Sequence, residues 1–120
     1  MTAELTAKHC KPCEGGVEPL TPKRARALLA QVEGWQLNDA GTEISRAFPF
    51  PDFVQAMAFA GAIAWMAERE GHHPDLEIGW GRCLVRYSTH AIHGLSENDF
   101  ICAAKVDALA ATGAVGCGVG

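Results

Sequence analysis

A chain of 120 residues with 48% hydrophobic and 20% charged residues has the balance of one globular domain around one core, and its formal charge of -4 supplies no basic stripe for nucleic acid. No apolar run approaches the roughly 20 residues of a membrane helix, and the opening MTAELTAKHC lacks the charged-then-apolar layout of a secretory signal, so a cytoplasmic setting without membrane contact is expected. The five cysteines, Cys10, Cys13, Cys83, Cys102 and Cys117, are odd in number and scattered, which argues against a secreted disulfide framework and for reduced thiols.

Residues 1–19 show no periodicity and read as an irregular arm, residues 20–111 as the folded domain, and the small, Gly-rich residues 112–120 as a flexible tail. Thr21-Pro22 is a good helix opening, because threonine caps free amides and proline at the first position gives up no hydrogen bond; this helix is expected to reach about Val32. Trp35 and Leu37, a turn at Asp39 to Gly41, and then Ile44, Phe48 and Phe50 alternate as a hairpin. Pro51-Asp52 starts the longest helix. Along it Phe53, Met57, Gly61, Ala64 and Glu68 share one face, with Val54, Ala58 and Trp65 beside them, the kind of stripe a helix turns toward a core.

Gly71 ends that helix, and Leu76 to Tyr87 alternate about a turn at Trp80-Gly81 as a second hairpin. Ser96-Glu97-Asn98-Asp99 resembles a capping box and opens a last helix carrying Phe100, Ala103, Ala104, Val106 and Leu109; Cys83 and Cys102 fall in apolar patterns as core residues. The fold class is therefore α+β, an α-β-β-α-β-β-α order with a four-stranded antiparallel sheet covered on one face by helices. So small a sheet leaves edges that pairing between copies would protect, so a homo-oligomer is expected.

The stretch GHHPD, residues 71 to 75, carries the chemistry. With the turn centred on Trp80-Gly81, facing residues sum to about 161, which sets His72 opposite Thr89 and His73 opposite Ser88, with His90 next door. Pro74 holds His73 extended, and successive side chains of extended backbone point to opposite faces, so His72 and His73 diverge. Divergence disfavours a shared metal and suits two duties at the rim of a pocket. Glu68, in the last turn of its helix, stands where the helix dipole disfavours a negative charge and where burial would also raise its pKa, which hints at a local use. His9, Cys10 and Cys13 have plausible thiolate spacing, but one CxxC pair gives too few ligands for a closed zinc site, so no metal is expected.

HHPDL, followed after a hairpin by STH and GLSENDF, together with LTPKRARALLAQVEGWQL, FPFPDFVQAMAFA and AAKVDAL, resembles the pterin-4a-carbinolamine dehydratase family over nearly the whole domain. The resemblance implies a cofactor-free, metal-free dehydratase that takes water from a 4a-hydroxytetrahydropterin to give the quinonoid dihydropterin, as part of pterin recycling after aromatic amino acid hydroxylation, which links it to a hydroxylase. It implies His72, His73 and His90 as catalytic residues, the first and last transferring protons and His73 chiefly holding substrate. Asp99 and Glu68 match acidic residues around the family's site, where either is expected to orient an imidazole through a hydrogen bond, and backbone near Gly71, Ser88 and Thr89 is suited to the amide-like edge of a pterin. It further implies a dimer or tetramer, and it leaves an alternative reading, a protein-binding dimerisation module acting as a transcriptional cofactor. The chain departs from the family at Ala91, where an acid is common, at Trp80-Gly81, where asparagine often follows the aromatic, and at His93, an added imidazole.

Overall fold

Thr21 accepts a hydrogen bond from the Arg24 amide through its hydroxyl, and Pro22 occupies the first helical position, so α1 (Pro22–Leu29) begins where capping chemistry puts it. It ends earlier than expected. Beyond Leu29 the amides of Gln31 and Val32 bond three residues back rather than four, a tightened turn that still delivers Val32 into the core. The structure, a computed structural model, describes residues 5–11 and 18–112. Cys13, Cys117 and residues 113–120 of the expected tail lie outside the described residues.

The remaining elements are β1 (Gln36–Leu37), β2 (Ile44–Pro49), α2 (Phe53–Glu70), β3 (Asp75–Gly79), β4 (Arg82–Tyr87) and α3 (Glu97–Thr112). The strands form one antiparallel sheet in the order β1-β2-β4-β3. In the β3–β4 hairpin Asp75 pairs with Arg86 and Gly79 with Arg82, so the register read from the Trp80-Gly81 turn is the one adopted. Ile44, Phe48, Cys83, Val85 and Tyr87 point to the buried face, where they meet α2 and α3. The other face carries a charged cluster in which Arg86 bonds Glu77 and Arg82 lies near the same carboxylate. One face is dry and the other wet, as a two-layer α+β domain requires.

Asp52 caps α2 by accepting from the Gln55 amide, and Gly71 closes it at φ 67°, a left-handed conformation that costs glycine least. Which face of α2 is buried overturns the expectation. Ala56, Phe59, Ala60, Ile63, Met66 and Ala67 form the core stripe, whereas Phe53, Val54, Met57 and Trp65 are 44–75% exposed, and Gly61, Ala64 and Glu68 are exposed with them. The helix is apolar on two sides, and the side that lies against the core interleaves Phe59, Ile63 and Met66 with three alanines.

Residues 5–11 of the arm are docked on the domain. Leu5 is 1% exposed and belongs to the core, the Cys10 amide donates to Glu70, and Lys11 and Asn98 exchange two hydrogen bonds.

Candidate active site

β4 is an interior strand, and its continuation past Tyr87 runs out of ladder on both sides. The next residues in register opposite Ser88 are His73 on the β3 side and Glu43 on the β2 side. Beyond them the chain turns through a short 3-10 helix, His90–Ile92, and returns to pair Gly94 with Thr89. A Cβ on Gly94 would meet Pro19 at 2.7 Å, so a larger residue would force this return away from Pro19.

On the β3 side the divergence leaves a cavity of about 330 Å³ lined by Gly71, His72, His73, Ser88, Thr89 and His90, with Pro74, Asp75 and Ala91 completing its wall. That volume is at the lower end of those that hold small organic ligands. The three histidines of the two separated motifs thus border one space.

Their surroundings differ. The His72 side chain is 12% exposed; its Nε2 lies 2.6 Å from Asp99 Oδ1 and its ring stacks on Tyr87 with centroids 5.4 Å apart. Burial works against a charged imidazolium, but the hydrogen bond and the charge of Asp99 outweigh it, so the His72 pKa is raised above the ordinary histidine value. Because a carboxylate only accepts, Nε2 carries the proton in this bond and Nδ1 is the nitrogen left free. His73 Nε2 lies 2.7 Å from Glu68 Oε1, with both side chains mostly exposed. His90 is exposed on the 3-10 turn.

Asp99 is fully buried. Its Oδ2 accepts from the Thr89 hydroxyl at 2.8 Å and from the Ser96 amide at 3.0 Å, while Oδ1 takes His72. The acid of the capping box therefore does two jobs at once, closing the first turn of α3 and orienting an imidazole. A buried carboxylate is tolerable here because every donor it needs is supplied.

Two expected placements are corrected. Glu68 is not buried and is not among the residues lining the cavity; it sits on the exposed end of α2 and bonds His73, the imidazole-orienting contact expected of it. Thr89 offers no backbone edge to a ligand, since its amide bonds Gly94 and its carbonyl accepts from Ile92 and Gly94; its contribution is the hydroxyl that braces Asp99. Gly71 and Ser88 remain on the wall. Tyr87, the platform under His72, was visible in the sequence only as the last inward residue of the Cys83–Val85–Tyr87 alternation. Beneath it Cys102 lies 3.4 Å, sulfur to sulfur, from Cys10.

Of the soft-ligand set on the arm, His9 and Cys10 are described and Cys13 lies outside the described residues. His9 pairs with Glu70 at 2.9 Å, and among the described residues no group of three or more His, Cys, Asp or Glu side chains is placed to hold an ion. Nor is any described helix long and apolar enough to cross a membrane.

Residues 18–109 match the family model described as pterin 4 alpha carbinolamine dehydratase. A protein of Nitrosomonas europaea is 60% identical over 107 residues, 88% of this chain and 93% of the relative; one of Methylococcus capsulatus is 55% identical over 107 residues, 89% and 94% of the two chains. Both are provisionally named pterin-4-alpha-carbinolamine dehydratase. The crystal structure of a transcriptional coactivator/pterin dehydratase from Brucella melitensis superposes with a TM-score of 0.73 at 34% identity, covering 78% of this chain and 99% of that one. A pterin dehydratase-like RuBisCO assembly factor of the alpha-carboxysome is similar at a TM-score of 0.56 and 26% identity, covering 65% and 90%.

Proposed function

The chain belongs to the pterin-4a-carbinolamine dehydratase family, and from that premise we propose that it eliminates water from a 4a-hydroxytetrahydropterin by histidine acid/base catalysis in the cavity beside Ser88. The carrying observation is the buried Asp99 bonded to His72 at the wall that His73 and His90 share.

In this reaction the N5 lone pair forms the N5=C4a double bond, the C4a–O bond breaks, the departing oxygen takes a proton and leaves as water, and N5–H gives up its proton. One group must donate and one must accept. A raised pKa suits His72 to donate, through its free Nδ1, to the leaving oxygen, because Asp99 stabilises the imidazolium that precedes transfer. His90, which lines the same cavity, accepts the N5 proton. His73, steadied by Glu68, holds the substrate edge, with Gly71 and Ser88 as the neighbouring wall. The two imidazoles supply both transfers, so this reading draws on no cofactor. The substrate is the product of a pterin-dependent aromatic hydroxylation, and the free thiols of Cys10, Cys83 and Cys102 accord with a cytoplasmic setting.

The exposed stripe of Phe53, Val54, Met57 and Trp65 supports a homo-oligomer, since a monomer rarely leaves so many large apolar side chains together in water. The same stripe is the one observation favouring a second reading, a protein-binding module acting as a transcriptional cofactor. The discriminating experiment follows the decay of a freshly generated 4a-hydroxytetrahydropterin with and without purified protein. Acceleration that is lost in a His72→Ala/His90→Ala double variant supports the enzyme; an unchanged decay with wild-type protein leaves only the binding module.

A further inference from the structure

Cys10 and Cys102 bring their sulfurs to 3.4 Å although 92 positions separate them in the chain, and the proposed dehydration uses neither. The contact is held from several directions. On α3, Asn98 and Cys102 are four residues apart and share one face of the helix, and the arm docks on that face. Lys11 donates its amide to Asn98 Oδ1 and its carbonyl accepts from the Asn98 side chain, while the Cys10 amide donates to Glu70 on α2. The amides on both sides of the Cys10 α-carbon are therefore fixed, and Leu5 anchors the same arm in the core.

The two thiols are not equivalent. Cys102 is fully buried, whereas Cys10 is half-buried and is the one that solvent reaches. A hydrogen bond from Cys10 holds the Cys102 thiol below the ordinary cysteine value, against its burial and with help from the charge of His72. The same bond, with burial, pushes the Cys10 thiol up. Negative charge in the pair thus settles on the inner sulfur, and a thiolate is the form of cysteine that attacks another sulfur.

We propose that Cys10 and Cys102 are a peroxide-sensitive modification site, forming a reversible disulfide that clasps the arm to α3. The pair first gives one proton to solvent, and the proton that remains is shared across the contact. With it on Cys102, the Cys10 sulfur attacks hydrogen peroxide; the O–O bond breaks and leaves Cys10 as a sulfenic acid and one hydroxide, which takes the Cys102 proton and becomes water. The Cys102 thiolate then attacks the Cys10 sulfur, the S–O bond breaks, and the hydroxide released recovers the proton first lost. The two thiols are together oxidised by two electrons and the peroxide is reduced to two molecules of water. Cys10 is the sulfur that oxidant reaches, and Cys102 is the resolving thiolate held in contact with it. A transient bond of this kind suits a reducing compartment, and it keeps the arm from lifting off Glu70 and Asn98.

The test treats the reduced 120-residue chain with equimolar hydrogen peroxide, counts thiols, maps linkages by mass spectrometry of proteolytic fragments and follows amide hydrogen exchange. The five thiols are expected to fall to three, with Cys10 joined to Cys102, and dithiothreitol is expected to restore all five. The Cys10 and Lys11 amides should exchange at least about tenfold more slowly in the oxidised protein, and Tm should rise by about 10 °C, because the bond closes a long loop of the unfolded chain. Cys10→Ser changes a half-buried side chain on the arm and should fold, yet show neither the link nor the slowed exchange; Cys102→Ala removes the link from the other side. A link from Cys10 to Cys13, a link between two molecules, oxidation that stops at a Cys10 sulfur acid, or arm exchange unchanged by oxidation overturns the proposal, and none of these outcomes bears on the dehydratase reading.

Discussion

Two carboxylates on α3, Asp99 and Asp107, sit two turns apart and meet opposite kinds of partner. Asp107 Oδ1 accepts from the Trp35 indole at 2.9 Å and from Arg46 at 3.0 Å, and Arg46 in turn lies over the Phe48 ring. Burial pushes the Asp107 pKa up and these two donors pull against it. Its cation is permanently charged, so the cluster ties β2 to α3 and has no proton to move. Asp99 is still more buried, but its principal partner is an imidazole on a cavity wall whose charge state changes near neutral pH. The same side chain on the same helix is a tie in one place and a lever in the other, and the titratable partner with access to a cavity makes the difference.

Removing the proposed proton-transfer groups breaks the comparison most sharply. His72→Ala or His90→Ala should each lower kcat/KM for carbinolamine decay by about 10²- to 10⁴-fold in a stopped-flow assay. Asp99→Asn comes next, with roughly a 10- to 100-fold loss of activity, the usual cost of disturbing a group that orients a functional imidazole.

The stability of that variant should also depend on pH in a defined sense. The folded pKa of His72 is raised, so the Asp99–His72 pair contributes its full stabilisation below the ordinary histidine pKa of about 6.5 and loses it as pH rises through the raised value. Denaturant melts of wild type and Asp99→Asn should therefore differ more at mildly acidic pH than in alkaline buffer.

Asp107→Asn should reverse the pattern, costing about 1–3 kcal/mol of stability by weakening the hold on Arg46 and Trp35 while leaving kcat/KM within about twofold. The smallest effect belongs to Glu68→Gln, a change of at most a few-fold in KM, because its bond to His73 is solvent-exposed.

Much of this geometry could be read in advance, and for identifiable reasons. The alternation from Leu76 to Tyr87 and the Trp80-Gly81 turn fix a register, and a register dictates which distant residues become neighbours; that is how His72, His73 and His90 were expected at one end of a hairpin. Ser96 to Asp99 advertised a helix start. Spacing could not reveal that Asp99 reaches across 27 residues to His72, because the docking of α3 on the sheet sets that distance.

The stripe of α2 was misread because a helix apolar on two sides gives periodicity two solutions, and only the sheet chooses between them. Glu68, counted as an extension of a buried face, marked the solvent side. Thr89 was expected to give its backbone and instead gives its hydroxyl, since the Gly94 return that consumes its amide depends on a contact with Pro19 far earlier in the chain.

The most direct measurement is the pH profile of kcat/KM for 4a-hydroxytetrahydropterin decay in wild type and Asp99→Asn. If protonated His72 donates to the leaving oxygen and Asp99 sustains that proton, the activity of the wild type falls on the alkaline side at the raised His72 pKa, and in Asp99→Asn this limb moves to lower pH. An alkaline limb that stays in place, or decay no faster than in buffer, contradicts the account.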